Sequence, residues 1–363
     1  MKADATILKE IYEQRPSAPI GLLSRDEKDR LIERGVVGLY RWYLARSQAT
    51  RNWNPDKSFN WRAFRTDHSP ELNYILEGFY AVEQYVPDYV SKMLYGFVRK
   101  SHGRSQFQIR WGSEEQKHTD GWLNTLLFSR FRSFQWIEDY KQIMRDAPEW
   151  YLPWDDAHHM LFYTVIQERA TQINYLNMAA IAGGKSDKPE LANEVDPVLE
   201  QVCLTIATDE AAHYNFFLEV ARLMFYYYPA QSLEALMDVI KHFAMPAGDI
   251  IPNFKRFEEA VANAGIFYPR VYVHDILQPV LRNLSVHDRK AFTYGVRRSR
   301  MVPDPDGNMR DTSLFDTINY GALQQAVKRL YGRIEKHEQE VGFADIDATC
   351  FVPSGLDADS LSN

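Results

Sequence analysis

The chain has 363 residues, 45% of them hydrophobic and 25% charged, which excludes wholesale disorder and leaves room for one large domain or two ordinary ones. A formal net charge of -7, from 42 basic against 49 acidic residues, argues against a general nucleic-acid binder. Two cysteines, Cys203 and Cys350, exclude a disulfide framework, a four-cysteine zinc site and an iron–sulfur cluster, so a metal here would be held by nitrogen and oxygen.

Apolar residues recurring at intervals of three and four predict helices over 24–47, 71–95, 113–145, 156–182, 190–228, 231–245 and 254–264. The breaks between them are polar or carry glycine: SHGRSQ, DAPEWYLPWDD and AGGKSDKPE. No run of alternating β-branched residues is joined by hairpin turns, so the expected class is all-α. Residues 1–342 read as a single helical domain, and 343–363, ending in SGLDADSLSN, read as a poorly ordered extension. No stretch approaches the ~18 charge-free apolar residues of a membrane span, and MKADATILKE lacks a signal-peptide core. The expectation is a cytoplasmic, soluble protein.

Two of the long helical segments repeat one local pattern, Glu115-Gln116-Lys117-His118 and Glu210-Ala211-Ala212-His213. At 100° per residue the Glu and His of each stand on one helix face, within reach of one ion. One such pair would carry little weight. The other two long segments, however, each place a glutamate among apolar and aromatic neighbours, Glu83 in YAVEQYVP and Glu168 in FYTVIQERAT. A carboxylate buried there without a cation costs several kcal/mol. The order Glu, Glu-x-x-His, Glu, Glu-x-x-His on four helices is the ligand set of ferritin-like di-iron and di-manganese proteins. It predicts a ferritin-like four-helix bundle core with additional flanking helices. Oxygen and imidazole ligands suit iron or manganese.

Neighbouring residues add detail. Pro87 lacks an N–H, so the carbonyl of Glu83 loses its helical partner and the helix should bend just past that ligand. Thr171, one turn after Glu168, either presents a hydroxyl to the metals or bonds back to a helix carbonyl. Asp209 precedes a ligand and is placed to orient an imidazole, whereas Glu114 reads as part of a solvated face. His158-His159 reads as a helix start after Trp154-Asp155-Asp156.

The segments WGSEEQKH (111–118), QERAT (167–171), TDEAAH (208–213) and MPA (245–247) make the chain resemble the soluble acyl-acyl carrier protein desaturases, over roughly residues 30–290. The resemblance implies two iron ions on Glu83, Glu115, His118, Glu168, Glu210 and His213. It implies an oxygen-dependent desaturase that introduces a double bond into an acyl chain held on acyl carrier protein. A ferredoxin-like donor with its reductase, dioxygen and a homodimer complete the expected partners. It also places Trp53 at the position of the family's electron-transfer tryptophan, with Asp209 linking it to His118.

Acyl carrier protein is acidic. Residues 89–113 contain no Asp or Glu, and Arg99, Lys100 and Arg104 within them are the candidate docking residues, with Arg297, Arg298 and Arg300 as a second cluster. Against docking, Ala211 and Ala212 fill positions that are basic in the plant motif. Two rival readings stay open. One is a di-iron oxygenase of the same fold acting on a specialised metabolite by hydroxylation, N-oxidation or further desaturation; the other is a non-catalytic ferritin-like metal-binding protein.

Overall fold

The computed structural model describes residues 23–93, 101–248, 250–284 and 286, and the backbone of 301–303 and 309–311. The principal helices in chain order are α1 Arg25–Thr50, α2 Pro70–Glu83, α3 Val86–Lys92, α4 His102–Phe128, α5 Phe134–Asp146, α6 Ala157–Ala182, α7 Pro197–Tyr227, α8 Pro229–His242 and α9 Phe254–Asn263. A last helical stretch, α10, runs from Pro269–Val271 through a π-type turn, Tyr272–Leu277, into Gln278–Asn283. Outside this helical body, Met301–Pro303 pairs antiparallel with Met309–Asp311. The expected helical class holds. α2, α4, α6 and α7 supply the four-helix core: α6 packs on α7 and α2 on α4, while α1 lies against both α4 and α7.

Helix starts follow local chemistry. Ser24 and Glu27 form a reciprocal capping box on α1. Ser69 caps α2, with Pro70 in its first turn. The cap of α6 is Asp156, which accepts from the amides of His158 and His159, so that pair is a helix start as its sequence indicates. α6 is buried on nearly every side, from Met160 to Ala182, as a central helix must be.

Three boundaries differ from the periodicity reading. The segment 71–95 is broken at Gln84 and Tyr85, just past Glu83, where Pro87 forbids continuation. The freed carbonyls are taken by side chains: Thr119 Oγ1 donates to Glu83 O at 2.7 Å and Tyr89 Oη to Val82 O at 3.0 Å. The segment 113–145 is two helices, separated at a turn where Arg130 has a positive φ of 62°. Its first helix starts eleven residues early, because Glu33 of α1 accepts from Gly103 N at 2.6 Å and from Ser101 Oγ. Gly103 is itself required: a Cβ there would lie 2.7 Å from the Val37 backbone nitrogen.

α7 begins at Pro197, not at 190, because Asp196 caps it and accepts from Val198 N and Leu199 N. The same carboxylate lies 3.1 Å from His68 Nε2, whose Nδ1 is 2.8 Å from Glu194. This buried cluster ties the start of α7 to the start of α2. Burial opposes charge on His68, but Asp196 and Glu194 outweigh it and raise its pKa above the ordinary 6.5. Asp196→Ala removes the cap and strands the imidazole, and should cost about 3 kcal/mol in a denaturant titration. The His68 contribution is full below about pH 6.5, the unfolded value, and fades as pH rises through the elevated folded value. Stability of the wild type but not of His68→Gln should therefore fall across that interval.

Candidate metal centre

The four core helices bring their acidic and imidazole side chains to one buried point. Glu83, Glu115, His118 and Glu210 form one group, and Glu115, Glu168, Glu210 and His213 another, with the ligand atoms within each no more than 4.8 Å apart. Glu115 and Glu210 belong to both groups. Two overlapping quartets that share two carboxylates could hold two ions side by side. Four carboxylates also match the charge of two divalent cations. All six residues are buried, none more than 4% exposed.

The polar atoms at this point lack the partners that burial demands. Both carboxylate oxygens of Glu168 and of Glu210, Glu115 Oε1, and the Nδ1 atoms of His118 and His213 have no hydrogen-bond partner. His213 Nδ1 points at Glu115 (2.7 Å) and Glu168 (3.2 Å); His118 Nδ1 points at Glu115 (3.3 Å) and Glu210 (3.5 Å). A site left without compensation in this way is what a pair of cations would satisfy, so the residues fit two metal ions. Burial, then the charges of neighbouring glutamates, push Glu83 up to about 8 and Glu168 well above the carboxylate range. For Glu210 burial acts the same way, but the two imidazoles outweigh it and hold its pKa down.

A second layer of charge holds the imidazoles from behind, in reciprocal fashion. His213 of α7 turns its Nε2 to Glu114 of α4 at 3.1 Å; His118 of α4 turns its Nε2 to Asp209 of α7 at 3.4 Å. Each Glu-x-x-His motif is thus preceded by the acid that supports the other motif's histidine. Arg51 spans both acids, 3.1 Å from Asp209 and 3.7 Å from Glu114, and is itself only 4% exposed. Glu114 further accepts from Tyr43 Oη, Ser47 Oγ and Arg110 Nε. Burial opposes its ionisation, but His213 and these donors prevail and keep its pKa low. Glu114 is therefore an interior anion and not part of a solvated face; the signal available in the sequence was its match to Asp209 in the other motif.

Trp53 donates its indole N–H to Asp209 Oδ2 at 2.7 Å and stacks on His118, the rings 4° from parallel with centroids 6.2 Å apart. Thr171 donates to the carbonyls of Gln167 (3.1 Å) and Glu168 (3.2 Å), the back-bonded of the two alternatives. Tyr175, which the sequence reading did not single out, donates its hydroxyl to Glu83 Oε1. Beside the cluster lies a cleft walled by Phe79, Val82, Thr171, Asn174, Tyr175, Phe243, Phe254, Phe257 and Tyr272, among others. Its wall is mostly hydrocarbon and includes Val82, next to Glu83, and Tyr175, which bonds Glu83.

The basic run is largely spent elsewhere. Arg104 packs its Nη2 against Met224 Sδ at 3.1 Å on the wall of a separate apolar cavity, and Arg110 is held by Glu114 and Ser47. Arg104 is thus turned away from the free surface expected of a docking contact. Arg99, Lys100 and the Arg297, Arg298 and Arg300 cluster lie outside the described residues, as does the segment 343–363.

Comparison with known proteins gives a consistent picture. The family model for fatty acid desaturase matches residues 71–302, which include all six clustered residues. DesA1 of Mycobacterium tuberculosis H37Rv is 27% identical over 197 residues, covering 52% of this chain and 54% of that protein. The chloroplastic stearoyl-[acyl-carrier-protein] 9-desaturase of Gossypium hirsutum is 28% identical over 204 residues, covering 51% and 47%. The chain spans about half the length of the curated relatives it matches. The X-ray structure of DesA2 from Mycobacterium tuberculosis H37Rv covers 73% of this chain and 98% of its own, with 15% identity and a TM-score of 0.48. Among the described residues no helix is long and apolar enough to cross a membrane.

Proposed function

This chain belongs to the fatty acid desaturase family, and from that premise we propose that it is an oxygen-dependent acyl-[acyl-carrier-protein] desaturase using two iron ions. The observation that carries the reading is the pair of overlapping quartets sharing Glu115 and Glu210, set beside an apolar cleft. Glu83 and His118 would hold one ion, Glu168 and His213 the other. When bound and reduced, an iron pair supplies the dioxygen chemistry that removes hydrogens from an unactivated alkyl chain.

The protein's own part is containment and orientation. Asp209 and Glu114 fix the two imidazoles with Nδ1 inward. Tyr175 steadies Glu83. Phe79, Val82, Phe243 and Phe257 keep water from the chain and leave it an extended apolar bed. An apolar cleft beside the cluster supports a bound organic substrate over a metal store. The relatives' names, among them the stearoyl enzyme of Gossypium hirsutum, support an acyl chain on acyl carrier protein as that substrate. A ferredoxin-like donor with its reductase, and a second copy of this chain, belong to the same proposal. Carrier docking through Arg99 and Lys100 does as well; Arg104 is left out of it because its guanidinium packs inward. The test is the iron-loaded protein with ferredoxin, reductase, dioxygen and a panel of carrier-bound chains, read by mass spectrometry. Loss of two hydrogens from a chain is the expected result. Gain of oxygen alone, or no turnover of any chain, would overturn the reading.

Electron entry follows from the same geometry. Trp53, Asp209 and His118 form a continuous contact from the partly buried indole to the cluster. Trp53→Phe keeps the ring packing but loses the N–H bond to Asp209. Reduction by ferredoxin should slow about tenfold or more, the effect typical of losing such an outer partner, while reduction by dithionite changes less. Equal ferredoxin rates in the two proteins would make Trp53 a packing residue only.

A further inference from the structure

The wall of the cleft beside the metal centre carries an amide side chain without a hydrogen-bond partner. Asn174 is 6% exposed and lines the cleft, yet its Oδ1 is buried without a partner and its Nδ2 donates to no group among the described residues. Its polar neighbours on α6 are all occupied: Thr171 bonds to Gln167 O and Glu168 O, Tyr175 to Glu83, and Asn177 donates to Ile266 O at 2.8 Å. Around it the cleft is largely hydrocarbon, chiefly Phe79, Val82, Phe243 and Phe257, with Glu258 and the Tyr272 side chain also on its wall. A wholly alkyl chain laid in this cleft would seal a primary amide against hydrocarbon. A leucine would fill the same space without that penalty.

Resting on the desaturase reading above, we infer that the chain this cleft accepts carries an oxygen, as a hydroxyl or oxo group, which hydrogen-bonds Asn174. The substrate class is then an oxygenated acyl chain and not a plain saturated one. A hydroxyl both donates and accepts, so it meets the amide in either orientation; an oxo group takes the Nδ2 donor. Asn174 lies six residues after Glu168 on α6, about 9 Å along the helix axis. The oxygen therefore sits several carbons from the pair of carbons facing the metals and takes no part in the chemistry. It fixes how far the chain slides into the cleft, and so which carbons are presented. A site built to bond a substrate oxygen discriminates strongly against an analogue lacking it, because its own polar group is then left unpaired.

The experiment compares carrier-bound octadecanoyl chains with hydroxy- and oxo-octadecanoyl chains, the oxygen walked along the chain. Binding to the metal-loaded protein is measured by calorimetry, alongside product formation. One position of the oxygen should bind about tenfold more tightly than the plain chain and give a single double-bond position. Asn174→Leu, close in volume, should reverse the order, tightening the plain chain and weakening the oxygenated one. Should that variant fold poorly, the wild-type comparison across chains decides alone. Equal binding and turnover of plain and oxygenated chains would overturn the inference, leaving Asn174 with a trapped water, while the desaturase reading stands. Failure of every chain to bind or react would bring down that reading and this inference with it.

Discussion

Iron content should fall from about two ions per chain to below one when either Glu115 or Glu210 is replaced by alanine, but only to about one for Glu83→Ala or Glu168→Ala. The asymmetry follows from sharing: Glu115 and Glu210 stand in both quartets, Glu83 and Glu168 in one each. Losing a shared carboxylate takes a ligand and a negative charge from both sub-sites. The comparison must separate binding from folding, and Glu168→Gln does so. Burial, then Glu210 and Glu115, hold the Glu168 carboxyl well above the ordinary range, which favours its neutral form. An amide of the same shape should therefore leave metal-free stability almost unchanged while lowering metal content. Metal analysis and thermal melting of loaded and metal-free protein give both readings, since a ligand bound only by the folded state raises the melting temperature. Full loading in both Glu115→Ala and Glu210→Ala would remove these residues from the centre.

Arg51→Leu should be strongly destabilising although Arg51 is not one of the clustered residues. The guanidinium is buried between Asp209 and Glu114, 3.1 and 3.7 Å away, and lies over the Tyr43 ring at 4.8 Å. Removing one partner of a buried ion pair leaves an uncompensated charge and typically costs 3–5 kcal/mol. Here Arg110 still serves Glu114 and Lys117 still reaches Asp209 at 3.3 Å, so the expected loss is at the lower end, about 3 kcal/mol. Urea titration at fixed pH reads it directly. The loaded variant should also show an altered iron absorption band, because both imidazoles lose part of their backing at once. A loss below about 1 kcal/mol, the range of an exposed pair, would mean that the local partners suffice.

How much of this was legible in the sequence depends on how far apart the interacting residues lie. The clustering of these six side chains was legible because Glu-x-x-His is a spacing within one turn, and because Glu83 and Glu168 sit in runs too apolar to leave a carboxylate uncompensated. The break after Glu83 was legible for a similar reason, since Pro87 acts four residues away. Glu114 was not: next to Glu115 it looks like a second surface acid, and its partners Tyr43, Ser47 and Arg51 come from more than sixty residues earlier. The early start of α4 depends on Glu33 in the same way. α10 lies beyond the last helix the periodicity predicts; Pro269 occupies its first turn and Pro279 falls where the π-type turn gives way to helix. Arg104 and Arg110 show the converse: a stretch free of acids in sequence finds partners in space, Met224 for Arg104 and Glu114 for Arg110.

The end of α2 also decides how the centre breathes. Glu83 is the last residue of its helix, and its carbonyl answers to Thr119 of α4 instead of to its own continuation. Glu115, Glu168 and Glu210 hang from uninterrupted turns. Fraying begins at helix ends, so the carboxylate that swings outward first is that of Glu83. On the two-ion proposal, an ion held by Glu83 and His118 would exchange faster than one held by Glu168 and His213, and the side built on uninterrupted turns would fill first during loading.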